Sequence, residues 1–189
     1  MKIKSNASPD EISSPFFDLN KNFCFEFEKY IAEKNGKVKG NYNAWSFIAY
    51  GKILKPRNWN LLYKKSTFTS SGNLLLSSKY QSLFVMAEWE TERKGTHNSE
   101  FEIRKKTRTD FIKVPLSKSL SKLEVSNKYV INLKNNKPKI LTEIIKILSP
   151  LFISEEIYEI EHKNDKLRIE LRSEKHHFDI LDKLIKSIN

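Results

Sequence analysis

Three glutamates at alternate positions, Glu88, Glu90 and Glu92, are the acidic residues of this chain best spaced for chemistry. On a strand they share one face about 6.6 Å apart, near the separation of paired catalytic carboxylates. Carboxylates on a solvent-facing strand need no catalytic role, however, and Arg104 and Lys106 are placed to pair with them if the two strands close a hairpin. The histidines offer less. His176 and His177 are adjacent, so on a helix their side chains diverge and chelate one metal poorly; they read better as polar residues at a helix start. His97 lies in a hairpin loop, and His162 near the tip of another hairpin. Cys24 is the single cysteine, which excludes an internal disulfide and a cysteine cluster for zinc or iron–sulfur, and it reads as a small buried hydrophobe. No phosphate-cradling Gly-rich loop, Gly-x-Ser-x-Gly elbow or kinase signature occurs among only five glycines. No catalytic residue, metal or cofactor is expected.

Charge is the stronger signal. The formal net charge is +11, and no Asp or Glu lies between Lys34 and Ala87, where nine bases stand. A second basic run carries Asp110 alone between Arg104 and Leu123, whereas Glu143 to Asp182 holds ten acids and six bases. Such segregation gives one face a potential of one sign, suited to phosphates, anionic lipid heads or acidic proteins. The residues expected to form that face are Lys52, Lys55, Arg57, Lys64 and Lys65, with Arg104, Lys105, Lys106 and Arg108. A lysine-rich composition, 28 lysines against six arginines, would also arise from an AT-rich genome and leave a merely solvated surface. Tyr42, Trp45, Tyr50, Trp59 and Tyr63 interleave with the bases, as in binders of single-stranded nucleic acid, although the same aromatics could build a core.

The elements that must position these residues follow from periodicity. Residues 1–18 read as a flexible or docked arm, and 19–189 as a single domain with a subdomain boundary near 120 open to it. Phe23, Phe27, Tyr30 and Ile31 predict a helix from about Asn20 to Lys34, stopped by Asn35-Gly36, with Cys24 and Phe25 off its stripe. Alternation then predicts strands from Trp45 to Lys52, Asn60 to Phe68, Asn73 to Ser77 and Ser82 to Glu92, arranged as a meander with turns at Ser70-Ser71-Gly72 and Ser78-Lys79-Tyr80. Phe101 and Ile103 resume the pattern after the loop Lys94 to Ser99, and Thr107 to Ser121 reads as loop around Pro115 with a short strand at Phe111 to Val114. Leu123 to Leu133 reads as a strand pair or one bulged strand, and after an Asn135-Asn136 turn Pro138 opens a helix that ends before Pro150. A hairpin turning at Asn164-Asp165 sets Ile160 opposite Ile169, Tyr158 opposite Leu171 and Glu161 opposite Arg168, before a last helix from about Lys175 to Ile188. The fold class is α+β: an antiparallel sheet or meander, with an N-terminal helix and two C-terminal helices flanking a β-hairpin.

The segments Phe101-Glu102-Ile103, Tyr129-Val130-Ile131, Ile140 to Leu148, Leu167-Arg168-Ile169 and Phe178 to Leu181 resemble the layout of an uncharacterised bacterial family of domains of unknown function, over about two thirds of the chain. The resemblance implies a helix, a strand-rich middle and a helix–hairpin–helix end, no catalytic motif, and a membrane-proximal role through membrane helices that this sequence lacks.

These readings converge on a non-enzymatic binding or accessory protein whose basic face takes an acidic protein or an anionic membrane surface. Nucleic-acid binding through the same face comes second, and an enzyme using Glu88, Glu90 or a histidine third. Without an apolar leader or a membrane-length apolar run, the expected location is cytoplasmic or peripheral to the inner face of the membrane.

Overall fold

The computed structural model describes residues 2–66, 85–92, 100–134 and 138–188. The strand expected at Asn73 to Ser77, the turns on either side of it, the Lys94 to Ser99 loop with His97, and the Asn135-Asn136 turn lie outside the described residues. The described elements are, in order, β1 (Ile3–Ser5), α1 (Pro9–Ile12), α2 (Pro15–Glu33), β2 (Lys37–Tyr42), β3 (Ser46–Ile53), β4 (Trp59–Ser66), β5 (Val85–Glu92), β6 (Phe101–Lys105), α3 (Asp110–Leu116), β7 (Leu120–Lys122), β8 (Tyr129–Leu133), α4 (Lys139–Ile153), β9 (Ile157–Lys163), β10 (Lys166–Ser173) and α5 (Phe178–Ser187). This is a mixed α+β fold with mostly antiparallel strands. The chain divides into two compact units, Met1–Glu88 with Ser173–His176 and Trp89–Arg172 with His177–Asn189, so β5 gives its first half to one and its second half to the other.

In the first unit, Ser14 accepts a hydrogen bond from the Phe16 N–H and Pro15 presets φ at the first helical position, so α2 starts at Pro15, ahead of the expected start near Asn20. The helix ends in a Schellman motif: Asn35 adopts φ 54°, its N–H reaches the Ala32 carbonyl at 2.9 Å, and the Gly36 N–H reaches Ile31 at 2.9 Å. α2 buries Phe17, Cys24, Phe27, Tyr30 and Ile31, whereas Phe25 is exposed. The sheet beneath has the order β1-β2-β3-β4-β5, with β1 parallel to β2 and antiparallel pairing from β2 through β4. Phe47, Ala49, Gly51 and Ile53 of β3, with Trp59, Leu61 and Tyr63 of β4, are buried, and α2 lies close on that side because Gly51 has no Cβ. A Cβ there would stand 2.7 Å from both Phe27 Cζ and Ile31 Cδ1.

In the second unit the strand order is β5-β10-β9-β6-β8-β7. The inner faces of β6, β8, β9 and β10 pack Ile103, Tyr129, Ile160, Leu167, Ile169 and Leu171 with Leu141, Ile144 and Leu148 of α4 and Leu181 and Leu184 of α5 into a core shielded from solvent. The Tyr129 hydroxyl donates to the Ile157 carbonyl at 3.0 Å, so the ring is buried with its polar atom satisfied.

Several local expectations change. Strands β5 and β6 do not close a hairpin, because the β9–β10 hairpin lies between them. That hairpin pairs Ile160 with Ile169 and Glu161 with Arg168, but a register shift at Glu170/Leu171 sets Leu171 against Ile157 rather than Tyr158. The segment Phe111 to Val114 is helical, not a strand. α4 runs through Pro150 to Ile153, since Leu151 and Phe152 extend its buried stripe by one more turn. α5 begins at Phe178 because His177 takes the left-handed conformation, φ 54°, at its N-cap.

Candidate anion-binding surface

Strand alternation sorts the basic residues of the first unit. Since Phe47, Ala49, Gly51 and Ile53 point to the core, Ile48, Tyr50 and Lys52 occupy the opposite face. The register carries that face across the sheet: Lys52 stands opposite Lys37 on β2 and Asn60 on β4, Tyr50 opposite Lys39 and Leu62, and Ile48 opposite Asn41 and Lys64. Asn41 in turn pairs with Lys4 of β1. Five lysines, Lys4, Lys37, Lys39, Lys52 and Lys64, are thus exposed on one face of four adjacent strands. Neighbouring strands are about 4.8 Å apart and same-face positions on a strand about 6.6 Å apart. None of the five forms an ion pair with a described residue, and Lys39 Nζ lies 5.4 Å from the Tyr50 ring centroid. Tyr50 is 40% exposed. Glu88 of β5, half-buried, is the acid that alternation places on the same side in this unit.

The remaining expected residues fall elsewhere. Lys55 and Arg57 lie in the turn between β3 and β4, Lys55 exposed and Arg57 half-buried. Lys65, one position from Lys64, takes the covered face: its Nζ donates to Asn20 Oδ1 at 3.3 Å, and burial lowers its pKa while the Glu174 charge opposes that shift. Arg104 is committed internally, donating from Nη1 and Nη2 to the two Asp110 oxygens at 2.7 and 2.9 Å. Lys106 Nζ donates to the Asn127 carbonyl. Lys105 and Arg108 are exposed in the second unit. Lys37 and Lys39 were absent from the expected set because β2 carries a single inward aliphatic side chain, Val38, and so gives almost no apolar rhythm, and Lys4 because the three residues of β1 are too few to show one.

Several of the described groups that could do covalent or metal chemistry have structural occupations. Glu90 pairs with Lys166 at 3.6 Å, not with Arg104. His176 packs its ring 3.7 Å from that of Phe23, with Nε2 3.0 Å from the Phe23 carbonyl, while its own carbonyl accepts from Tyr63 Oη at 2.8 Å. His177 Nε2 lies 2.6 Å from Glu156 Oε2, and buried His162 stacks on Phe101. Burial pushes the Cys24 thiol up to about 12, with the Glu28 charge adding to it, which removes the thiolate a nucleophile needs. Among the described residues no group of three His, Cys, Asp or Glu side chains converges as a metal site, and no helix is long and apolar enough to cross a membrane. A cavity of about 280 Å³ in the second unit, lined mainly by Leu123, Val125, Ile131, Leu133 and Ile145, is apolar.

No protein-family model, curated protein or solved structure matches the chain.

Proposed function

We propose that this protein is a non-enzymatic binding or accessory protein that holds an anionic partner, an acidic protein or anionic lipid head groups, on the lysine face of β1 to β4. The carrying observation is that five lysines share one open sheet face without an ion-pair partner among the described residues. Bare ammonium groups so placed repel one another, and an anionic surface relieves that repulsion while each lysine gains about 1 kcal/mol near anionic lipid. Ile48 and Leu62 between the lysines add apolar contact. Such a protein would work in the cytoplasm or at the inner face of a membrane.

Sedimentation with phosphatidylcholine–phosphatidylglycerol vesicles, across a salt series, tests the lipid form. Reversing Lys37, Lys39 and Lys52 to Glu together is expected to weaken binding on the order of 100-fold, and salt to weaken it in the wild type. Salt-insensitive binding, or an unaffected triple variant, would sink the reading. Tyr50 among the lysines favours single-stranded nucleic acid as a second reading, with a base stacked on the ring and phosphates on Lys39 and Lys52. Fluorescence anisotropy with single-stranded oligonucleotides decides it: Tyr50→Ala should lower affinity about 10-fold, and a flat titration at low salt removes the reading.

A further inference from the structure

α3 exposes an apolar surface that its own sequence gives reason to bury. At about 100° per residue, Phe111, Ile112, Pro115 and Leu116 fall within an arc of about 140°. Phe111, Ile112 and Leu116 are 88%, 65% and 80% exposed, and Pro115 is exposed with them. Three large apolar side chains on seven residues would ordinarily turn inward or find cover. They do not, because the opposite side of the helix is fixed. Asp110, buried at its first position, accepts both guanidinium bonds of Arg104, the Thr107 N–H at 2.6 Å and the Thr107 hydroxyl at 2.9 Å. At the other end, Ser117 Oγ accepts from the Leu120 N–H at 3.1 Å, holding the exit of the chain. The helix is braced at both ends and bare along its outer face.

Around it the chain is basic. Lys105 and Arg108 precede the helix, Lys113 lies on it, and Lys118 and Lys122 follow; all five are exposed. The one acid among them, Asp110, is already neutralised by Arg104. A convex apolar tip with a cationic collar fits a lipid bilayer with anionic head groups: the side chains enter the acyl boundary while the collar stays among the phosphates. A pocket on a protein partner would match the tip but would leave the collar without a reason.

We infer that α3 is a membrane-inserting anchor for anionic bilayers, with Phe111, Ile112 and Leu116 as its inserted residues. The inference rests on the reading of the protein as a binder of anionic partners and makes one of them a bilayer.

The test uses the whole chain and mixed phosphatidylcholine–phosphatidylglycerol vesicles. The combined variant Phe111→Ser, Ile112→Ser and Leu116→Ser removes only exposed side chains, so its circular dichroism should match the wild type. Its vesicle affinity should fall at least about 10-fold. The indole introduced by Phe111→Trp should shift to the blue on vesicle addition and be quenched by brominated acyl chains; Lys105→Glu with Lys113→Glu should weaken both responses. Loss of binding in the serine variant, with quenching in the tryptophan variant, supports insertion even if reversal of Lys37, Lys39 and Lys52 changes nothing, in which case the sheet-face reading alone fails. Wild-type affinity in the serine variant, or an indole that stays unquenched on bound protein, overturns insertion. If only the sheet-face reversal abolishes binding, the inference fails and the sheet-face reading stands.

Discussion

On the sheet of the second unit each arginine stands against an acid. Arg168 reaches Glu159 at 2.8 Å and Glu161 at 3.5 Å, Arg172 meets Glu170 at 2.6 Å, and Arg104 lies between Glu102 and Asp110. The open face of the first unit repeats the layout of alternating polar residues on paired strands, yet Lys4, Lys37, Lys39, Lys52 and Lys64 have no such counter-charges among the described residues. A compositional drift towards lysine acts on the whole chain and would leave both surfaces unmatched. Acids stand against Arg104, Lys166, Arg168 and Arg172 of the second unit but against none of the five lysines of the first among the described residues, and those missing acids are what a partner would supply.

The largest expected effect on stability tests the platform beneath the lysines. A Cβ on Gly40 would lie 2.1 Å from the Ile48 carbonyl oxygen, a backbone atom that cannot give way without moving β3. Gly40→Ala should therefore cost about 3 kcal/mol in urea denaturation and weaken vesicle binding as well, because Lys37 and Lys39 are carried by the displaced strand. Unchanged stability would mean that β2 does not hold the lysines as described.

Next comes the matched unit. Hydrogen bonds from Arg104 and Thr107 outweigh desolvation and hold the Asp110 carboxyl well below the usual carboxylate range. Asp110→Asn should cost about 2–3 kcal/mol at neutral pH. A carboxyl whose folded pKa is depressed stabilises above its unfolded value, about 3.9, and loses that contribution as pH falls below it. The gap between wild type and variant should therefore be full at pH 7 and close progressively below about pH 4. A constant gap would assign the loss to shape rather than charge.

Where the sequence was legible, a strong period carried the reading. The spacing of Phe27, Tyr30 and Ile31 located α2, and alternation on both strands set the Ile160–Ile169 and Glu161–Arg168 pairs. The bulge after Glu170 leaves no mark in that alternation, so the pairing beyond it slipped by one residue. β2 was missed because Val38 alone carries an inward aliphatic side chain. α3 was missed because its apolar residues face outward and its inward face holds Asp110, whose role depends on Arg104 of another element. Placing β5 beside β6 failed because nearness in sequence says nothing about a later hairpin inserting between them. Lys64 and Lys65 were grouped by neighbourhood, although alternation on a strand already separates their faces.

A smaller effect contrasts the two sheets directly. Arg168→Glu sets a third carboxylate beside Glu159 and Glu161, and Glu159 is already raised above its ordinary pKa by burial, with Arg168 opposing that rise. The substitution should destabilise by about 1 kcal/mol and leave vesicle binding unchanged. Stability unaffected by it would mean that the arginine–glutamate array is ornamental.

The smallest effect has the opposite sign and separates a site from a solvated face. Lys37 stands directly across from Lys52, a like-charge pair that opposes strand association. Lys37→Glu replaces repulsion with attraction and should raise stability by about 0.5 kcal/mol. If the lysines are merely solvated, that gain comes without loss. If they hold an anionic partner, the same substitution stabilises the fold and weakens binding about 10-fold, a trade-off measurable on one protein sample by urea denaturation and vesicle sedimentation. A variant that is more stable and binds as well as the wild type would break the contrast between the two sheets, since it would show the unmatched charges to be a defect rather than a function.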